Sequence, residues 1–284
     1  MHRVRLISAS LLVLALIILA ASRAGIEGRD ATPQHPSPRT PGSALPHAAP
    51  EVAETTPPAA AAPAGLPVIA YWPAPRGFPA DPTPRSTAAL TAGLHPTTRL
   101  VLYDSPGGKP RAFLPPTIGG VPVVVPIVER STGWVAVLVP SVDRRVGWLP
   151  ATGWVRRPLR DQLILRRRTH ELSWLRDGVR KASWTVTIGA PATPTPLGRT
   201  FVLGRTVPRG AVYAGLDALA LGSVPEHPRS VSPGLSRAHT GIHSWYDNDS
   251  FGRNTSNGCI RVPRTGQRAL LKNIAPGTSL TVLD

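Results

Sequence analysis

His239-Thr-Gly-Ile-His243-Ser244 is followed, after Trp245-Tyr-Asp-Asn-Asp-Ser-Phe-Gly-Arg-Asn-Thr255, by Ser256-Asn-Gly-Cys259-Ile-Arg261, so a histidine-bearing stretch precedes the only cysteine of the chain. Alternation along a strand puts His239, Gly241 and His243 on one side and Ile242 on the other, towards a core. The spacer is rich in turn formers, which fold the chain back and bring Cys259 towards His243. A lone cysteine has no disulfide partner within the chain, and in an exported protein it is a candidate reactive thiol.

A thiol beside an imidazole suits acyl chemistry, as a hydrolase or an acyl transferase. The sulfur attacks, and the base that takes its proton later returns it to the leaving group. On this reading Cys259 is the nucleophile and His243 the base, and a thiolate–imidazolium pair lowers the apparent pKa of Cys259. Gly258 permits backbone conformations closed to other residues, and N–H groups near Gly258 and Cys259 are positioned to hold an oxyanion. Arg261 follows the cysteine by two and shares its face; it either binds a substrate carboxylate or locks the loop to an acidic neighbour. His239 reads as a packing or hydrogen-bonding residue. The His-Glu-x-x-His pattern of zinc hydrolases is absent, so no metal and no other cofactor is expected.

Outward from this stretch, 34 prolines and 26 glycines against 5% aromatics favour loops and short strands over long helices, so the chain is expected to be mainly β. Its length allows one to three domains. Residues 1–27 hold His2, Arg3 and Arg5 and then an apolar run from Leu6 to Ala21, intermediate between a signal peptide and a signal anchor. Both readings export the rest of the chain to the cell envelope, and with no nearby cysteine a lipoprotein anchor is ruled out. Residues 28–66, rich in Pro and Ala, form a disordered linker by composition, and 67–95 are an undefined approach segment. The net charge of +16 draws the protein to polyanions, which outside a membrane are anionic wall polymers or the membrane surface. Export and the lack of a nucleic-acid motif exclude nucleic acid as the partner. A monomer is expected.

Between 96 and 157, Leu100–Gly108, Val121–Val128, Gly133–Val139 and Arg145–Leu149 read as four strands of a small antiparallel barrel or meander. Their Gly-Trp-Val and Val-Gly-Trp-Leu elements resemble bacterial SH3-like wall-associated domains. Trp134 and Trp148 are either core aromatics or a ligand platform.

Residues 158–284 resemble the L,D-transpeptidase (YkuD-type) catalytic domain. The resemblance rests on the His-Thr-Gly-Ile-His-Ser and Ser-Asn-Gly-Cys-Ile-Arg-Val blocks, on Thr193-Pro-Thr-Pro-Leu-Gly-Arg-Thr-Phe201, and on an opening hairpin from Leu163 to Gly178, all in the family's order. It implies a β-sandwich with a short helix, here between Thr265 and Asn273, and a last strand from Thr278 to Leu283. It also implies Cys259 and His243 as catalytic residues, with Ser244 orienting the imidazole, and Ser256, Asn257, Gly258, Arg261 and His239 in support. Many members carry a second histidine where this chain has Asn257, which leaves the base role to His243. The implied substrate is a peptidoglycan tetrapeptide stem. Its terminal D-alanine leaves, and the acyl group passes to a neighbouring stem as a 3→3 cross-link, in the service of wall organisation and cell shape. Water as acceptor would make an L,D-carboxypeptidase, and an inactive wall-binding protein is the reading from another class. A papain-type peptidase fits less well, because there the cysteine precedes the histidine.

Overall fold

Short apolar and β-branched runs bounded by turn residues become strands throughout the residues that the computed structural model describes, 55–72, 75–222 and 240–284. All of these belong to one unit, Val52–Asp284. The N-terminal apolar run, the linker up to residue 54 and His239 lie outside the described residues.

The first part of the unit carries β1 (Ala92–Pro96), β2 (Leu100–Tyr103), β3 (Pro110–Leu114), a hairpin of β4 (Thr117–Ile118) and β5 (Val121–Pro122), then β6 (Val125–Ser131), β7 (Trp134–Leu138), β8 (Val146–Pro150) and β9 (Trp154–Pro158). Seven of them form a sheet in the order β3-β2-β8-β7-β6-β1-β9, antiparallel throughout. Its core is aliphatic, with Leu94, Leu102, Leu114 and Leu138 fully buried, and Trp134 and Trp148 are buried with them.

Residues 67–95, undefined by composition, are fixed along this sheet. Isolated bridges join Val68 to Phe113, Tyr71 to Ser141 and Ala80 to Arg145, and Ile69, Tyr71 and Phe78 are buried. Burial of these three side chains offsets the ordering of an otherwise Pro-rich stretch. The end of the linker is ordered too. Trp134 Nε1 donates to the carbonyl of Pro57 at 2.9 Å and Tyr103 Oη to that of Ala60 at 2.7 Å.

The second part carries β10 (Asp161–Arg166), β11 (Glu171–Arg176), β12 (Val179–Thr185), β13 (Ile188–Gly189), β14 (Gly198–Thr206), β15 (Ala218–Leu221), β16 (Gly241–Ser244), β17 (Asn254–Ser256), β18 (Ile260–Val262), α1 (Arg264–Asn273) and β19 (Ser279–Leu283). Eight strands run in the order β12-β11-β10-β19-β14-β15-β16-β18, and β13 pairs separately with β17. Residues Gly198–Phe201 of β14 pair with β19; from Val202 on the same strand pairs with β15, with a register shift between Val202 and Gly204. Two leaves therefore share β14, and Leu163, Leu165, Leu172, Leu280 and Val282 of one meet Leu219, Leu221, Ile242, Ile260 and Val262 of the other in one core. This is the mainly β sandwich with one short helix.

Both faces of β14 are covered. Val202 enters the sandwich core, whereas Phe201 and Leu203, pointing the other way, enter the core of the first sheet. Beside them Arg199 pairs with Asp81 through Nε (2.8 Å) and Nη2 (2.7 Å), with side chains only 5% and 1% exposed. Gln162 reaches the carbonyl of Thr87, and Thr281 that of Ser86. In α1, Gln267 is fully buried and donates from Nε2 to the carbonyls of Asp217 and Ile242. The helix is thereby held against the strand that bears His243.

Candidate active site

Strands β16 and β18 run parallel, with Ile242 opposite Ile260, His243 opposite Arg261 and Ser244 opposite Val262. Ile242, Ile260 and Val262 fill the core. By alternation His243 and Arg261 lie on the other face of the leaf, and Cys259, two residues before Arg261, joins them there. The backbone of Gly241, two residues before His243, is near enough to the Cys259 thiol to favour its thiolate. The connecting loop turns back through a 3₁₀ segment, Asn248–Ser250, whose Asp247 cap accepts from Asp249 N, and through Gly252 at φ 81°. Thr187 Oγ1 ties this loop down by donating to Ser250 O at 2.7 Å.

The turn that presents Cys259 is built by hydroxyl groups. Gly258 has φ 106°, a conformation that L side chains rarely adopt. Ser256 is fully buried; its Oγ donates to Cys259 O at 2.6 Å and accepts from Gly258 N at 3.2 Å. Behind it, Thr195 Oγ1 donates to Gly258 O at 3.0 Å and accepts from Gly189 N at 2.9 Å, while Thr193 Oγ1 donates to Ser256 O at 3.1 Å. Neither threonine hydroxyl is singled out by sequence, where the only signal is the repeated Thr-Pro of 193–196. Asn257 is exposed at the top of the turn.

His243 is 7% exposed, and its Nδ1 lies 2.8 Å from Ser244 O. A carbonyl only accepts, so Nδ1 carries the proton and Nε2 keeps its lone pair. The backbone of Ser244 thus orients the ring, and its hydroxyl bonds to Tyr213 O. Aromatic groups flank the imidazole: Tyr213 edge-on at 4.9 Å between centroids and Trp245 at 5.9 Å. Arg261 stacks on Trp245 with Cζ 3.6 Å from the ring centroid. Its Nε is buried without a hydrogen-bond partner, and among the described residues Arg261 makes no ion pair. An aromatic platform thus lies under this arginine, with the Asp247 charge near enough to favour its charged form. Tyr213 and Trp245 flank the site without a sequence signal of their own.

The electrostatics differ from a preformed ion pair. Burial pushes the Cys259 thiol above its ordinary value, against opposing contributions from the Gly241 N–H and the Arg261 charge. Burial likewise lowers His243, aided by Arg261 and opposed by the bond to Ser244. Both shifts favour neutral partners, a thiol and an imidazole, because enclosure disfavours each charged form. Burial pushes the phenol of Tyr71, 2% exposed, well above its ordinary value, and a thiolate at Cys259 would push it further.

No curated protein matches the chain. Among solved structures, it is similar to L,D-transpeptidase 3 from Mycobacterium tuberculosis with a faropenem-derived adduct, at 16% identity over 50% of this chain and 75% of that one, TM-score 0.37. It is similar also to an L,D-transpeptidase from Mycobacterium smegmatis, at 16% identity over 50% and 74%, TM-score 0.35. A third is the catalytic domain of the E. faecium L,D-transpeptidase, at 20% identity over 43% and 96%, TM-score 0.32. Residues 160–282 match the family model of YkuD, the L,D-transpeptidase catalytic domain. His243, the Ser256–Cys259 turn and Arg261 all lie within the stretch that matches the YkuD L,D-transpeptidase catalytic domain.

Proposed function

We propose that the protein is an exported peptidoglycan L,D-transpeptidase that forms 3→3 cross-links through an acyl-enzyme on Cys259. The observation that carries this reading is the β16–β18 register, which puts His243 opposite Arg261, two residues after Cys259 and its Gly258 turn at φ 106°. The reaction starts from the neutral pair. Nε2 of His243 takes the thiol proton as Sγ bonds to the carbonyl carbon of the third stem residue. Backbone N–H groups near Gly258 and Cys259 hold the oxyanion. The bond to D-alanine then breaks, and His243 returns its proton to the leaving amine, which gives a thioester. The side-chain amine of a second stem attacks that thioester and loses a proton to His243. The thiolate leaves and is reprotonated. Arg261, stacked on Trp245 with Nε unpartnered, is suited to hold a stem carboxylate.

The apolar run from Leu6 to Ala21 and the net charge of +16 support action outside the membrane, near anionic wall polymers. The sheet from Ala92 to Pro158 is read as an SH3-like accessory domain facing the wall.

The test is mass spectrometry of products after incubation with a disaccharide-tetrapeptide, beside a Cys259→Ala control. A cysteine-dependent dimer lacking one D-alanine supports the transpeptidase. A tripeptide alone would make water the acceptor, and no turnover by either protein would favour a wall-binding role.

A further inference from the structure

The linker residues Thr55-Thr-Pro-Pro-Ala-Ala-Ala-Ala-Pro63 carry no charge and no secondary structure, yet they are held against the first sheet. Two hydrogen bonds from aromatic donors fix them, Trp134 Nε1 to Pro57 O and Tyr103 Oη to Ala60 O. The accepting carbonyls are three residues apart and both face the sheet, a spacing that matches one turn of a polyproline II helix. Trp134 and Tyr103 come from strands separated by β8, and their rings meet edge to face at 5.1 Å. Two turn glycines clear the walls. A Cβ on Gly107 would lie 2.8 Å from Pro57 Cβ, and one on Gly133 would lie 2.1 Å from Thr56 Cγ2. Two rigid aromatic donors and side-chain-free walls are what an extended peptide without internal hydrogen bonds requires, since its carbonyls are all free to accept.

We propose that Tyr103, Trp134, Gly107 and Gly133 form a recognition site for uncharged Pro/Ala-rich peptide in the polyproline II conformation, filled in cis by residues 55–63 of this chain. The occupant is tethered. Four residues beyond Pro63, Pro67 and Ile69 bond to both sides of Phe113 in β3, with Phe113 N to Pro67 O and Ile69 N to Phe113 O each at 2.8 Å. That anchor gives the segment an effective concentration near the site on the order of millimolar, so it excludes weak competitors. Linker that is read as free spacer is thereby held on the protein, and the reach of the tether is set by whether the site is filled.

The test compares the full chain with a version in which 55–63 is replaced by Gly and Ser, using the free peptide Thr-Thr-Pro-Pro-Ala-Ala-Ala-Ala-Pro and the Trp134 indole N–H resonance. The expected result is saturable binding to the replaced chain, none to the unaltered chain, and binding weakened by about fivefold in a Tyr103→Phe version of the replaced chain, which loses one hydrogen bond. Absence of binding to the replaced chain, equal binding to both chains, or equal binding of a Gly/Ser peptide would overturn the proposal. If the replaced chain does not fold, hydrogen exchange of the Trp134 indole in the unaltered chain decides: protection is expected, and exchange at the solvent rate overturns it.

Discussion

Replacing Thr195 with Val tests whether the Cys259 turn is held from behind. The residue is 1% exposed, and its hydroxyl is the shared partner of Gly258 O at 3.0 Å and Gly189 N at 2.9 Å. Valine keeps the shape and removes the hydroxyl, so one acceptor and one donor of the backbone lose a buried partner. Each costs about 1–3 kcal/mol, which gives roughly 2–6 kcal/mol for the pair before relaxation. Part of this falls on the conformation of Gly258, so acylation of Cys259 by a carbapenem should slow by about tenfold or more, a tenfold change being about 1.4 kcal/mol. Urea unfolding measures the first effect and stopped-flow acylation the second. Thr195→Ser, which keeps the hydroxyl and loses only a methyl, should stay within about 1.5 kcal/mol of the unaltered protein. Stability and acylation both unchanged in Thr195→Val would refute the buttressing role.

The buried pair between the approach segment and β14 should behave differently when broken singly or doubly. Asp81→Ala strands the Arg199 charge, 5% exposed, and should cost about 3–5 kcal/mol in urea unfolding, whereas Asp81→Ala with Arg199→Met should recover part of that loss. Iodoacetamide alkylation of Cys259 in the free enzyme should be slow at neutral pH and rise with pH through a midpoint above 9.0, because burial favours the thiol; a midpoint below neutrality would mean a preformed thiolate–imidazolium pair. His243 is held below its ordinary 6.5, so as the pH falls below 6.5 the unfolded chain takes up a proton before the folded one does. Stability should therefore decline from there until the folded value is passed, and His243→Gln should flatten that part of the urea-midpoint profile.

The elements legible in the sequence are those whose signal is local. Alternation in Gly241–Ser244 sends Ile242 to the core and His243 away from it, and the turn-rich spacer returns Cys259 to the same face. Long-range partners were not legible. Nothing in the spacing of Phe201, Val202 and Leu203 says that both faces of β14 are covered by different cores. Asp81 and Arg199 are too far apart in the chain for pattern to pair them, and the Pro-rich composition of 67–95 hides the burial of Ile69, Tyr71 and Phe78. A thiol next to an imidazole suggests an ion pair, whereas enclosure sets the outcome, and the aromatic wall on His243 comes from Tyr213 and Trp245. For Arg261, the stacked indole of Trp245 is a contact that charge counting does not reveal.

The central claim is that Cys259 carries the acyl group, and intact-protein mass spectrometry of the rapidly quenched enzyme with a tetrapeptide donor and no acceptor tests it most directly. The account predicts a mass increase equal to the donor less D-alanine, mapped to the peptide containing Cys259, absent in Cys259→Ala and strongly reduced in His243→Ala. Release of D-alanine at an unchanged rate by Cys259→Ala would contradict it.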